Sequence, residues 1–109
     1  MLNQAVLVGR VTSNLELEEK KNGKQLVTLT LAVPRSYKNE EGSYDTDFID
    51  VVLWNSIASN TAEYCRKGDL LGIKGRIQTS TYELEDGSKR KVTEIIAEKV
   101  TFLSSKKED

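Results

Sequence analysis

The eight residues from Asp47 to Trp54, Asp-Phe-Ile-Asp-Val-Val-Leu-Trp, constrain the fold more than any other stretch of this chain. Successive side chains of an extended strand point to opposite faces. Ile49, Val51 and Leu53 therefore share one face, and Phe48, Asp50, Val52 and Trp54 share the other. A second run, Leu71 to Tyr82, has the same character if the strand is unbroken. Leu71, Ile73, Gly75 and Ile77 fall on one side, and Lys74, Arg76, Gln78, Ser80 and Tyr82 on the other. Each run has an aliphatic face that must be buried. One opposite face is rich in aromatics, and the other carries cations and a tyrosine.

Glycine-containing dipeptides mark the turns. Asn22-Gly23, Glu41-Gly42 and Asp86-Gly87 lie between extended stretches, and Asn-Gly and Asp-Gly suit the positive φ angles of tight hairpins. A first strand is predicted around Ala5–Gly9, continuing past a bend near Thr12–Leu15. A second is predicted over Leu26–Val33, with Val27, Leu29, Leu31 and Val33 inward and Thr28, Thr30 and Ala32 outward. Pro34, the only proline, is expected to end it because it lacks the ladder donor. A polar loop with Tyr37 and Tyr44 follows. One helix is predicted, about Ser56–Lys67, where Ile57, Thr61, Tyr64 and Cys65 recur at helical spacing. Arg66 and Lys67 fall in its last turn, and Gly68 stops it. The hairpin at Asp86-Gly87 returns through about Val92–Ala97, and a short segment follows at Val100–Leu103. Three strands, one helix and a long hairpin match an all-β, five-stranded Greek-key β-barrel, the OB-fold, with a short helix between strands three and four.

Composition removes several functional classes. At 109 residues the chain forms one domain. It has no run near the about 18 apolar residues of a membrane span and no secretory signal, so a cytoplasmic location is expected, without membrane contact. Cys65 is the single cysteine and is read as a small buried residue. There is no histidine, so the commonest general base and the usual zinc ligands are missing, and no metal or cofactor is expected. The formal charge of −1 argues against a strongly basic surface overall. Any basic groove must therefore be balanced by acidic residues elsewhere.

At these residues the chain resembles the bacterial single-stranded DNA-binding proteins. The opening Asn3–Thr12 is similar to that family's first strand, Asp47–Trp54 to its third, and Gly75–Thr79 to its fourth. Tyr64–Gly68 resembles its helix end, and Thr93–Ala97 its last core strand. The resemblance covers nearly the whole chain, in order. It implies an OB-fold single-stranded DNA-binding domain over residues 1–104 and a short frayed end over 105–109. It also implies sequence-nonspecific binding and protection of single-stranded DNA during replication, recombination or repair, by a homotetramer in the nucleoid, without catalysis. By position, the family's four stacking aromatics fall on Tyr37, Phe48, Trp54 and Tyr82. Parity alone had placed the last three outward, whereas Tyr37 rests on the resemblance. Phosphate contacts are expected from Lys74, Arg76, Arg10, Arg35 and Lys38, with Lys89–Lys91 extending the track. Tyr44 and Tyr64 are read as loop and core residues.

The departures from the family's pattern also carry information. Asn55-Ser56 and Ser80 stand where a basic residue is frequent, Glu18-Glu19 where arginine and tyrosine are common, and Leu15 in place of a frequent proline. Fewer phosphate contacts and a shallower salt slope than in a basic relative are expected. The chain ends at Lys106-Lys107-Glu108-Asp109, without the long tail and acidic tip of replicative members. Tail-dependent replication and repair partners are therefore not expected to bind it. A primosomal adaptor of the same fold, acting through protein–protein contacts, is the alternative. It should lack some stacking aromatics, and this chain keeps all four positions. An enzyme would need a nucleophile, base or metal cluster to join carboxylates such as Asp50.

Overall fold

A computed structural model describes residues 1–104; the expected frayed end, 105–109, lies outside the described residues. The elements are β1 (Ala5–Val11), β2 (Glu18–Glu19), β3 (Gln25–Lys38), β4 (Tyr44–Trp54), α1 (Asn55–Tyr64), β5 (Leu70–Glu83) and β6 (Lys89–Phe102). The sheet order is β1-β5-β6-β4-β3-β2, and β1 also pairs with β3. That second pairing closes five strands into a barrel, with β2 as a two-residue addition at the edge of β3. This is the OB-fold expected from the strand order.

The core follows the alternation. Val27, Leu29 and Leu31 from β3, Val51 and Leu53 from β4, Leu71 and Ile73 from β5, and Ile95 and Ala97 from β6 form one buried cluster with Val11, Ala58 and Cys65. Each large aliphatic side chain removed from water in this way contributes about 1.5–3 kcal/mol. Helix α1 plugs the barrel with Ala58 and Thr61, both buried. Cys65 follows directly and is likewise in the core, as the sequence suggested; burial pushes its thiol up to about 11.

Four local readings are corrected by the structure. Pro34 does not end its strand, because β1 reaches β3 only at Val11↔Leu31 and Arg10↔Ala32 among the described pairings. Pro34 lies beyond, on a free edge where a missing donor is tolerated, so β3 runs on to Lys38 and Tyr37 is a strand residue. The helix ends at Tyr64, with the Cys65 N–H bonded to the Thr61 carbonyl. Gly68, at φ +92°, instead turns the chain back so that its N–H bonds the Val11 carbonyl. Tyr64 is exposed and meets the ring of Phe102 edge-on, with centroids 6.3 Å apart. The predicted Val92–Ala97 and Val100–Leu103 segments are one strand, β6, interrupted by a bulge.

The hairpins also differ in kind from a two-residue turn. In each, a four-residue turn closes on the glycine N–H: Gly23 on Lys20, Gly42 on Asn39, and Gly87 on Leu84. Only the glycine takes a positive φ, because Asn22, Glu41 and Asp86 are not among the described positive-φ residues. A type I turn followed by a left-handed glycine is the three-residue hairpin loop. It accommodates Glu41, which a two-residue type I′ turn would force into a left-handed conformation.

In the β6 bulge, Lys99 pairs with Lys74 and Ala97 with Gly75, leaving Glu98 as the extra residue. The bulge reverses the parity of β6, so that Val100, opposite Ile73, packs against the core. A side chain on Gly75 would collide with the Ile96 backbone carbonyl there, whereas one on Gly72 would make only ordinary contact with Leu103. Gly75→Ala is therefore expected to destabilise the fold by about 1–3 kcal/mol, and Gly72→Ala by clearly less. Urea unfolding of the two variants beside the parent checks this, and equal midpoints would contradict it.

Candidate single-strand-binding surface

Register carries the outward face of β4 across four strands. Thr28 pairs with Val52, Val52 with Ile96 in parallel, and Ile96 with Arg76. These four residues form one row on the outside of the barrel. Val52 and Ile96 are buried without belonging to the core cluster, so the middle of this outer face is a covered apolar floor. Two residues along β4 lies Trp54, opposite Leu26. In the other direction come Asp50, opposite Thr30, and then Phe48, opposite Ala32. On β5, Lys74 flanks Arg76 on one side, and Gln78, Ser80 and Tyr82 follow on the other, with Tyr82 opposite Arg90.

Two arms extend this face. Because β4 and β6 run parallel, the β3–β4 and β5–β6 hairpin tips project from the same end of the barrel. The described β4–β6 ladder is limited to the pairs at Val51 and Val52, so the arms separate beyond it. Tyr37 and Phe48 lie on the first arm and Tyr82 on the second. All are well exposed, at 64%, 67% and 48%, while Trp54 at the strand end is 37% exposed.

Trp54 is positioned by a backbone device at Asn55, a position where a basic residue is frequent in the family. Asn55 has φ +56°, the one non-glycine positive φ among the described residues. The chain therefore turns sharply from β4 into α1 directly after Trp54. The Asn55 carboxamide oxygen accepts a hydrogen bond from the Gln25 N–H at 3.2 Å, beside the Leu26–Trp54 pair. Asparagine tolerates this conformation better than other side chains, which explains its presence here.

The expected cations fall into different situations. Among the described residues no ion pair involves Lys74, Arg76 or Lys38. Arg76 is half-buried, 3.5 Å from the Gln78 side-chain oxygen. The Lys38 ammonium lies 5.9 Å from the centre of the Tyr44 ring. The Arg10 guanidinium donates to the Gly68 carbonyl at 3.0 Å. Arg35 is bound to Asp47, with Nη2 to Oδ1 at 2.9 Å, and faces Asp45 at 3.7 Å. The Lys89–Lys91 run begins β6 and is exposed. Tyr44 was read as a loop residue, but it is an exposed strand residue that shares the parity of Phe48 along β4. Extending the alternation backward from Phe48 was the signal that would have found it.

Residues 2–103 match the Single-strand binding protein family. The chain belongs to that family. It is 48% identical over 106 residues to Single-stranded DNA-binding protein 3 of Listeria innocua, covering 97% of this chain and 66% of that protein. It is 46% identical over 103 residues to the Single-stranded DNA-binding protein of Bacillus cereus, covering 94% of this chain and 61% of the relative. To Single-stranded DNA-binding protein B of Bacillus subtilis it is 45% identical over 106 residues, covering 97% and 94%. The chain thus spans less than two thirds of the first two relatives and nearly all of the third. Family membership agrees with the resemblance read from the strands.

Asn55→Ala is expected to destabilise the protein by about 1–2 kcal/mol through its left-handed backbone, and Asn55→Gly by less despite losing the same hydrogen bond to Gln25. Thermal and urea unfolding of both variants test this. A glycine variant as unstable as the alanine one would show that the hydrogen bond, and not the backbone, is what Asn55 supplies.

Proposed function

We propose that this protein binds and protects single-stranded DNA without sequence preference, with bases against the outer face of β4–β6–β5 and phosphates directed outward. The observation that carries the reading is the placement of Phe48, Trp54 and Tyr82 as exposed rings on one continuous sheet face, with Tyr37 on the adjoining arm. Every base offers a π face, so ring stacking tolerates any sequence. Stacking contributes about 1–3 kcal/mol per base, a value carried over from binders of this same class.

The centre of the face supports the orientation. Asp50, hydrogen-bonded by Thr30 at 3.0 Å, and Glu94, opposite Gln78, both lie among the outward residues. Carboxylates on the floor repel phosphates but leave room for bases. Lys74, Arg76, Lys38 and Arg10, nearer the margins, are the proposed phosphate contacts. Each contact adds about 0.7 to the slope of log affinity against log salt on single strands, so a shallow slope is expected.

Self-association into a tetramer is part of the proposal. Val6 and Val8 project from β1 as exposed apolar residues at 70% and 49%. Covering them with another copy would remove apolar surface from water, and several linked copies would raise the effective concentration of rings along one strand. The proposed setting is replication, recombination or repair in the bacterial cytoplasm. Among the described residues no helix is long and apolar enough to cross a membrane.

Trp54 is the only tryptophan, so its fluorescence reports on one position of the proposed surface. Titration with oligo-dT is expected to give saturable quenching that is reversed by salt. Phe48→Ala and Tyr82→Ala are each expected to weaken binding by about 1–3 kcal/mol. An unchanged signal at micromolar oligo-dT in low salt would remove Trp54 from the binding surface.

A further inference from the structure

We propose that Arg35 is a positioning residue and not a phosphate ligand: clamped to Asp47 and Asp45 on the back of the β3–β4 arm, it holds Tyr37 and Phe48 in place for stacking. The inference rests on the single-strand-binding reading above and assigns one of its cations a different task.

The backbone ladder shows why a clamp is needed at this point. Pro34 pairs with Thr46 and the next described pair is Lys38 with Tyr44. Arg35, Ser36 and Tyr37 therefore stand against the single residue Asp45, and regular pairing is lost where Tyr37 is carried. The Arg35 side chain spans this gap. Its Nε lies 3.3 and 3.2 Å from the two Asp47 oxygens, its Nη2 2.9 Å from Oδ1, and its Nη1 3.7 Å from Asp45 Oδ2. All three guanidinium nitrogens face carboxylates. The planar fork of arginine suits such two-point contact, which a lysine would not reproduce.

Parity places the clamp on the wrong side for phosphate binding. Asp45 and Asp47 share the odd positions of β4 with Ile49, Val51 and Leu53, whereas Tyr44 and Phe48 occupy the even, outward positions. A guanidinium that reaches both aspartates lies behind Tyr44 and Phe48, and it is also close enough to Tyr37 to interact with it electrostatically. The group of one cation and two carboxylates also carries a net negative charge, which repels a phosphate. The hydrogen bond to Arg35 holds the Asp47 carboxyl below its ordinary value, and the same contact holds the Arg35 guanidinium more firmly protonated. The pair therefore stays ionised throughout the neutral range. An arm held in its binding geometry avoids the ordering cost that a loose arm meets on contact with DNA.

The test separates the two roles by sign. Binding of oligo-dT is followed by Trp54 fluorescence at about 0.2 M salt, where charges beyond roughly 8 Å are screened, and salt slopes are measured in parallel. Arg35→Gln and Asp47→Asn are each expected to weaken binding by roughly two- to five-fold, the range an exposed ion pair supports, with the parental salt slope. The exchange Arg35→Asp with Asp47→Arg is expected to restore most of the lost affinity, and all three variants should melt with the parent. The proposal is overturned if Asp47→Asn tightens binding by freeing Arg35, or if Arg35→Gln lowers the slope by about 0.7. It is also overturned if neither single variant changes affinity, or if the exchange restores nothing. Failure of the parent protein to bind oligo-dT at all would instead overturn the function on which the inference depends.

Discussion

Strand β4 is hydrogen-bonded on both sides, to β3 along most of its length and to β6 at Val51 and Val52. A strand held in this way cannot rotate, and a one-residue slip would exchange its two faces. Everything else depends on that fixed alternation. Val51 and Leu53 are committed to the core, so Phe48, Val52 and Trp54 are committed to the outside. The proposed binding face is the other side of the constraint that builds the core. A substitution that disturbed the inward row would misplace the rings as surely as one made on the surface.

The same strand serves different purposes along its length. Near Trp54 it is in the barrel wall, next to α1 and the turn at Asn55. Near Tyr44 it has left the barrel, and among the described pairings it is joined there to β3 alone. Backbone pairing weakens there, and side-chain contacts between Arg35 and Asp47 or Asp45 and between Lys38 and Tyr44 take its place. The contacts that join the strands thus change from core packing to ion pairs and a cation–π contact as the arm extends. Ile77 shows the same transition on β5: it keeps the inward parity of Ile73, yet it is exposed, lying beyond Gly75, the last β5 residue with a described β1 partner.

This division also explains what the sequence could reveal. Burial on one face writes period-two patterns, so the strands, the barrel and the outward placement of Phe48, Trp54 and Tyr82 were legible. Features set by the absence of a neighbour were not. Pro34 looked like a strand end because nothing local records that β1 has already left that edge of β3. Arg66, Lys67 and Gly68 imitate a normal helix stop and so hide the earlier end at Tyr64, whereas Gly68 bonds back to Val11. The bulge at Glu98 joins two segments that parity alone must read as separate. Arg35 needed the register of the arm before its partners could be assigned.

The central claim is that the outer sheet face, and not another aromatic patch, receives the bases. Tyr64 and Phe102 provide an internal comparison, since they form an exposed aromatic pair at the end of α1 and β6. Photocrosslinking to an oligonucleotide carrying 5-iodouracil, with the modified residues mapped by mass spectrometry, reads the contact directly. Crosslinks at Phe48, Trp54 and Tyr82 are the predicted result. Crosslinks concentrated at Tyr64 and Phe102, with none on β4, would contradict the account.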